Sequence, residues 1–132
     1  MDNLLITETA HTPFVCMDLS TGTMEIKGRS IPDDADSFWM PVLSWFESYR
    51  MDPFSETTFI IYLEYFNIAS SKRILFLLYK LNDMIDDGFD VRVEWHYRES
   101  DEEMFEVGND YAYMVRVPFE FKALQELDLA SA

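Results

Sequence analysis

Apolar residues recur along this chain with two different periods, and the switches between them mark out the elements. Phe14-Val15-Cys16-Met17-Asp18-Leu19 and Met24-Glu25-Ile26-Lys27 are short β-type runs. The turn residues Ser20-Thr21-Gly22-Thr23 separate them, which predicts a hairpin. Leu4 to Ile6 predicts a short edge strand ahead of it, and Gly28-Arg29-Ser30-Ile31-Pro32 reads as an exit loop. Asp33, Asp34 and Asp36 are N-cap candidates for a first helix. Its apolar positions Phe38, Val42, Leu43, Trp45, Phe46 and Tyr49 keep helical spacing. Pro41 lacks the donor that a helix interior needs, so this helix either starts after Asp36 or kinks, and Asp52-Pro53 ends it.

Thr58 to Phe66 (TFIIYLEYF) is β-branched and aromatic, and its apolar content on both faces predicts a central strand buried on each side. The period then changes. Ile74, Leu77, Leu78, Leu81, Met84 and Ile85 predict a second helix from about Ser70 to Ile85, stopped at Asp86-Asp87-Gly88. Val91, Val93 and Trp95 alternate with Arg92, Glu94 and His96 in a further strand. Glu99 to Asp110 predicts a third helix with Met104, Phe105, Val107 and Tyr111 facing inward. Val115, Val117, Phe119 and Phe121 alternate in a last strand, which Pro118 assigns to a sheet edge. Residues 128–132 read as a frayed tail. The order is hairpin, helix, strand, helix, strand, helix, strand. It predicts an α/β fold, a mixed sheet with about three packed helices.

A chain of 132 residues is expected to form one domain, 1–132, and its 48% hydrophobic content excludes disorder. Twenty-five acidic residues against ten basic ones give a net charge of -15, which disfavours nucleic acid and anionic membranes and favours partners with basic surfaces. Cys16 has no second cysteine to pair with and reads as a small buried hydrophobe, as suits a reducing compartment. Met1-Asp2-Asn3 lacks the basic start of a signal peptide, and no apolar run reaches bilayer length, so a cytoplasmic protein is expected.

Candidate chemistry is sparse. His11 and His96 stand far apart with no Cys/His cluster, and Asp101-Glu102-Glu103 lacks the alternation and glycine of a calcium loop, so no metal is expected. Ser70 and Ser71 have neither a neighbouring histidine nor a Gly-x-Ser-x-Gly turn, and four glycines in all make no phosphate loop. No catalytic residue or cofactor is expected, because no nucleophile, base and electrophile converge. The acidic third helix is open to two readings, a solvated face or a docking face for a basic partner. The most informative stretch is Tyr65-Phe66-Asn67-Ile68-Ala69-Ser70-Ser71-Lys72, where a strand delivers a short turn onto the first turn of a helix. Such a junction exposes backbone N–H groups and the positive end of the helix dipole. A hydroxyl there is placed to carry a phosphate, although Ser70 taken alone reads better as an N-cap for the second helix.

Over nearly its whole length the chain resembles the SiaC family of bacterial regulatory phosphoproteins. The likeness is carried by Thr12-Pro13, Gly28-Arg29-Ser30-Ile31-Pro32, Trp45 and Leu63-Glu64-Tyr65-Phe66-Asn67 leading into Ala69-Ser70-Ser71-Lys72. It continues through Trp95-His96-Tyr97 and Asp101-Glu102-Glu103-Met104 with Gly108. The resemblance implies a fold like that of the anti-sigma factor antagonists (STAS domains) and a partner-switching role. It further implies a kinase of the histidine-kinase-like ATPase type, a PP2C-type phosphatase, and a diguanylate cyclase that the unmodified form binds and activates, favouring biofilm formation. The family's phosphoacceptor threonine follows the asparagine, and here that position is Ile68, nearly isosteric with threonine but without a hydroxyl. Three readings stand open: a permanently unphosphorylated, partner-competent form; an acceptor moved to Ser70 or Ser71; or an introduced substitution. The first ranks above the second, because two or three residues carry a hydroxyl round the helix by a large angle. Asn67, Ile68, Ala69, Ser70, Ser71 and Lys72 are the expected partner surface, with Lys72 and Arg73 flanking the phosphate position. The other class open to the sequence is an antagonist module that binds an anti-sigma kinase and has no cyclase partner.

Overall fold

The computed structural model describes residues 1–125; the tail expected at 128–132 lies outside them. Strands β1 (Leu4–Ile6), β2 (Phe14–Asp18), β3 (Thr23–Ser30), β4 (Glu56–Phe66), β5 (Asp90–Arg98) and β6 (Phe119–Leu124) form one sheet in chain order. The first three pair antiparallel, and β3, β4, β5 and β6 then run parallel. Helices α1 (Ala35–Tyr49), α2 (Ile68–Asp86) and α3 (Glu102–Met114) are the three crossovers between the parallel strands. Right-handed crossovers that all step the same way along a sheet place every helix on one face. The expected α/β architecture, a mixed sheet with three packed helices, is therefore what the chain adopts.

The pleat shows the consequence. Phe59, Ile61 and Leu63 of β4 and Val91, Val93 and Trp95 of β5 point under the helices and are buried, whereas Thr58, Ile60 and Tyr62 are half-buried. So β4 is central, but only one of its faces is covered. The apolar residues on its other face are screened by neighbouring strand side chains, not by a second layer as the sequence suggested.

Several boundaries differ from expectation, each for a physical reason. Gly28-Arg29-Ser30 is not a loop; it continues β3 alongside β4. Helix α1 starts at Ala35, with Asp34 accepting from the Ser37 amide at 3.2 Å, and runs on through Pro41. One lost backbone bond there is outweighed by burial of Trp39, Val42, Phe46 and Tyr49, each contributing about 1.5–3 kcal/mol. Helix α3 starts at Glu102 and reaches Met114, because Met104, Gly108 and Tyr111 continue its buried stripe. Gly108 is needed there, since a Cβ would come within 2.5 Å of Trp95 Nε1. Val115 and Val117 are buried in the connector and not in a strand, whose N–H groups at Arg116 and Val117 donate to Asn82 Oδ1 at 3.0 and 3.1 Å. Strand β6 begins only after Pro118, and it is an edge, as the proline predicted.

Candidate docking site at the start of the second helix

The junction is set up one turn before it is reached. The β3–β4 register runs Gly28 with Leu63, then Arg29 with Tyr65, so Glu64 is an extra residue in β4. This bulge restores Phe66 to the helix side, where its ring stacks on Tyr111 at 6.4 Å between centroids. Asn67 then ends the strand and caps α2. Its N–H donates to Ser30 O at 3.0 Å, and its Oδ1 accepts from the Ser70 amide at 2.9 Å. The cap is therefore Asn67, and α2 starts at Ile68, two residues earlier than the apolar stripe indicated.

That shift decides where each expected site residue falls. Ile68, the first helical residue, is 79% exposed. Ala69 is half-buried and Lys72 is exposed. Ser70 is fully buried: its Oγ lies 2.8 Å from Ser30 Oγ, donates to Ser30 O at 3.1 Å and accepts from Trp39 Nε1 at 3.4 Å. Ser70 is thus a structural hydroxyl, not an N-cap or part of the surface, which corrects its place among the expected acceptors and contacts. Ser71 is half-buried, with Oγ 2.8 Å from the Tyr111 hydroxyl, which itself donates to Ser71 O at 3.1 Å. Burial pushes the Tyr111 phenol above its ordinary value, although the Ser71 hydrogen bond works against this, so it stays a protonated donor. Arg73, expected beside a phosphate, is instead held by Asp36 at the start of α1. Lys72 has no carboxylate in ion-pair reach among the described residues.

Ile68 forms one lip of a groove of about 340 Å³ between α2 and α3, floored by Phe66 and Tyr111 and flanked by Val107, Asp110 and Met114. Sequence reasoning missed Met114, Ser30 and Trp39. Met114 continues the spacing of Val107 and Tyr111 but lay past the assumed helix end. Ser30 lies within Gly28-Arg29-Ser30-Ile31-Pro32, which the sequence reads as an exit loop, with no sign of contact to Ser70. No group of three or more metal-ligating side chains gathers among the described residues, and no described helix is long and apolar enough to cross a membrane.

The model of the SiaC family regulatory phosphoproteins matches residues 6–124. The chain belongs to the SiaC family. A similar Pseudomonas aeruginosa protein described as uncharacterized is 26% identical over 126 residues, 96% of this chain and 100% of the relative. The crystal structure of apo-SiaC from the same organism superposes with a TM-score of 0.86 at 25% identity, over 93% of this chain and 100% of that one. SiaC in complex with the diguanylate cyclase SiaD, of which it is the activator, gives a TM-score of 0.88 at 26% identity over 92% and 99%. The SiaC-type residues quoted from the sequence have visible work at the junction. His11 O accepts from the Ile31 amide at 2.8 Å, so the Thr12-Pro13 loop lies along the end of β3. Gly28, at φ 122, leaves room for the Glu8 carboxylate and Pro13. Together they hold the Ser30 carbonyl beneath Asn67 and Ser70. Trp95 Nε1 donates to Met104 O at 3.0 Å and ties α3, the other wall of the groove, to the sheet.

Proposed function

We propose that this chain, working as a single domain in the reducing cytoplasm that a lone thiol suits, is a non-enzymatic adaptor that binds and activates a diguanylate cyclase. The exposed start of α2 is its contact surface. The observation that carries this reading is the near-complete superposition, TM-score 0.88, on SiaC held in its cyclase complex. The same similarity favours a cyclase over an anti-sigma kinase as partner. At the site itself, Ile68 is exposed beside an apolar groove, and covering its side chain would contribute about 1.5–3 kcal/mol to docking.

The regulation expected of the family is a phosphate at position 68, added by a histidine-kinase-like ATPase-fold kinase and removed by a PP2C-type phosphatase. A phosphate brings about two negative charges and three acceptor oxygens, and at a packed apolar contact the desolvation cost would offset most of the binding. Ile68 carries no hydroxyl, so this chain stays in the partner-competent form. The burial of Ser70 and the Tyr111 bond to Ser71 support that reading over a relocated acceptor. The test is a pull-down with a diguanylate cyclase of the same organism, followed by a cyclase assay. Binding with a rise in cyclic-di-GMP is expected; no binding and unchanged output would overturn the proposal.

A further inference from the structure

The sheet face opposite the helices carries an unused pattern. Parallel strands nearly always have both faces covered, yet β3 to β6 carry helices on one face only. The register aligns the uncovered side chains in two adjacent rows across these strands. One row is Glu25–Ile60–Glu94–Glu120, and the next is Lys27–Tyr62–His96–Lys122. The first is acidic at three of its four positions, and the second is basic at three, counting the imidazole. On each strand the residue of the second row lies two positions after that of the first.

We propose that this face takes a second copy of the chain, around a two-fold axis that runs along the sheet midway between the rows. Such an axis reverses the strand direction and exchanges the rows. Glu25 then faces the second copy's Lys27, Glu94 its His96, Glu120 its Lys122, and at the centre Ile60 packs on Tyr62. A contact of this kind is isologous, so the same match occurs twice. Aligned packing of twisted sheets accommodates it.

Charge favours this face for such a contact. The chain carries -15 overall, so most approaches of two copies are repulsive. On this face the charges are matched: Lys27 with Glu25 at 3.5 Å, Arg92 with Glu94 at 3.6 Å and Lys122 with Glu94 at 3.5 Å, and near the strand ends Arg98 with Glu64 at 3.0 Å. Glu94 is already 8% exposed with no helix over it, fenced by His96, Arg92 and Lys122. The helices and Ile68 lie on the opposite side and stay open in the paired form, so this proposal stands apart from the cyclase reading.

The test is the mass of the full chain by sedimentation, from about 1 μM to about 1 mM, the range in which weak specific pairs form. The expected result is a concentration-dependent doubling that weakens in about 1 M salt, where charge contacts are screened. Lys27→Glu with Lys122→Glu makes both rows acidic and should raise the half-association concentration at least tenfold. Adding Glu25→Lys and Glu120→Lys exchanges the rows and should restore pairing, with circular dichroism confirming that each variant is folded. Ile68→Asp should leave pairing unchanged. A single-chain mass at every concentration, or pairing that the row variants leave untouched, overturns the proposal.

Discussion

Helices α2 and α3 begin alike and are finished differently. Each is capped by a side-chain oxygen that accepts from the amide three residues on: Asn67 from Ser70 at 2.9 Å and Asp101 from Met104 at 3.0 Å. At α3 the positive end of the dipole is filled by the chain's own charge, with Asp101 as cap and Glu102 and Glu103 in the first turn. At α2 the cap is neutral and the first turn holds no acid, in a chain with 25 of them. Where α3 presents Glu102 to solvent, α2 presents Ile68 beside an apolar groove. The start of α3 is neutralised from within. The start of α2, which we propose as the docking end, is left uncompensated and apolar.

The strongest way to break the comparison is to put a carboxylate on the wrong side of the α2 turn. Ser70→Glu buries a charge among Ser30 and Trp39 and should cost more than about 3 kcal/mol in urea unfolding. Glu103→Ser, at an exposed position of the α3 turn, should cost under about 0.5 kcal/mol. Next come the caps. Asn67→Ala and Asp101→Ala should each lose about 1 kcal/mol. Asn67→Asp should gain a few tenths of a kcal/mol, since it alone meets an uncompensated dipole, and Asp101→Asn should lose about as much.

Acid sharpens the contrast between charged and neutral caps. The Asp34 carboxyl at the start of α1 is held below its ordinary value by hydrogen bonds from the Ser37 hydroxyl and amide. Its contribution is fully present above the unfolded pKa of about 3.9 and is lost as pH falls through the lower folded value. Protection of the Ser37 amide in hydrogen exchange should therefore fall in that window, while that of the Ser70 amide, capped by Asn67, should not. The smallest effect is that of Ile68→Thr, which should change stability by under about 0.5 kcal/mol because the side chain is exposed. With ATP and a cognate kinase it should gain one phosphate by intact mass, and the Ile68 form none.

Much of this is legible in the sequence. The three-and-four spacing of Ile74, Leu77, Leu78 and Leu81 placed α2, and Pro118 placed the edge strand. The start of α2 was not legible at the residue that matters. Ile68 and Ala69 lie ahead of the apolar stripe, and only the Asn67 side chain closing on the Ser70 amide makes them helical. That two-residue shift sends Ser70 inward and Ile68 outward. The single-sided cover of β4 was hidden as well, since half-buried Ile60 and Tyr62 look like core residues in a linear pattern.

The central claim is that Ile68 and the groove beside it are where the cyclase is gripped. Titrating a diguanylate cyclase of the same organism with the chain and with Ile68→Asp, by calorimetry, tests it most directly. The charged variant should keep the wild-type fold by circular dichroism and bind at least tenfold more weakly, with cyclic-di-GMP output falling in step. Equal affinity for the two forms would contradict the claim.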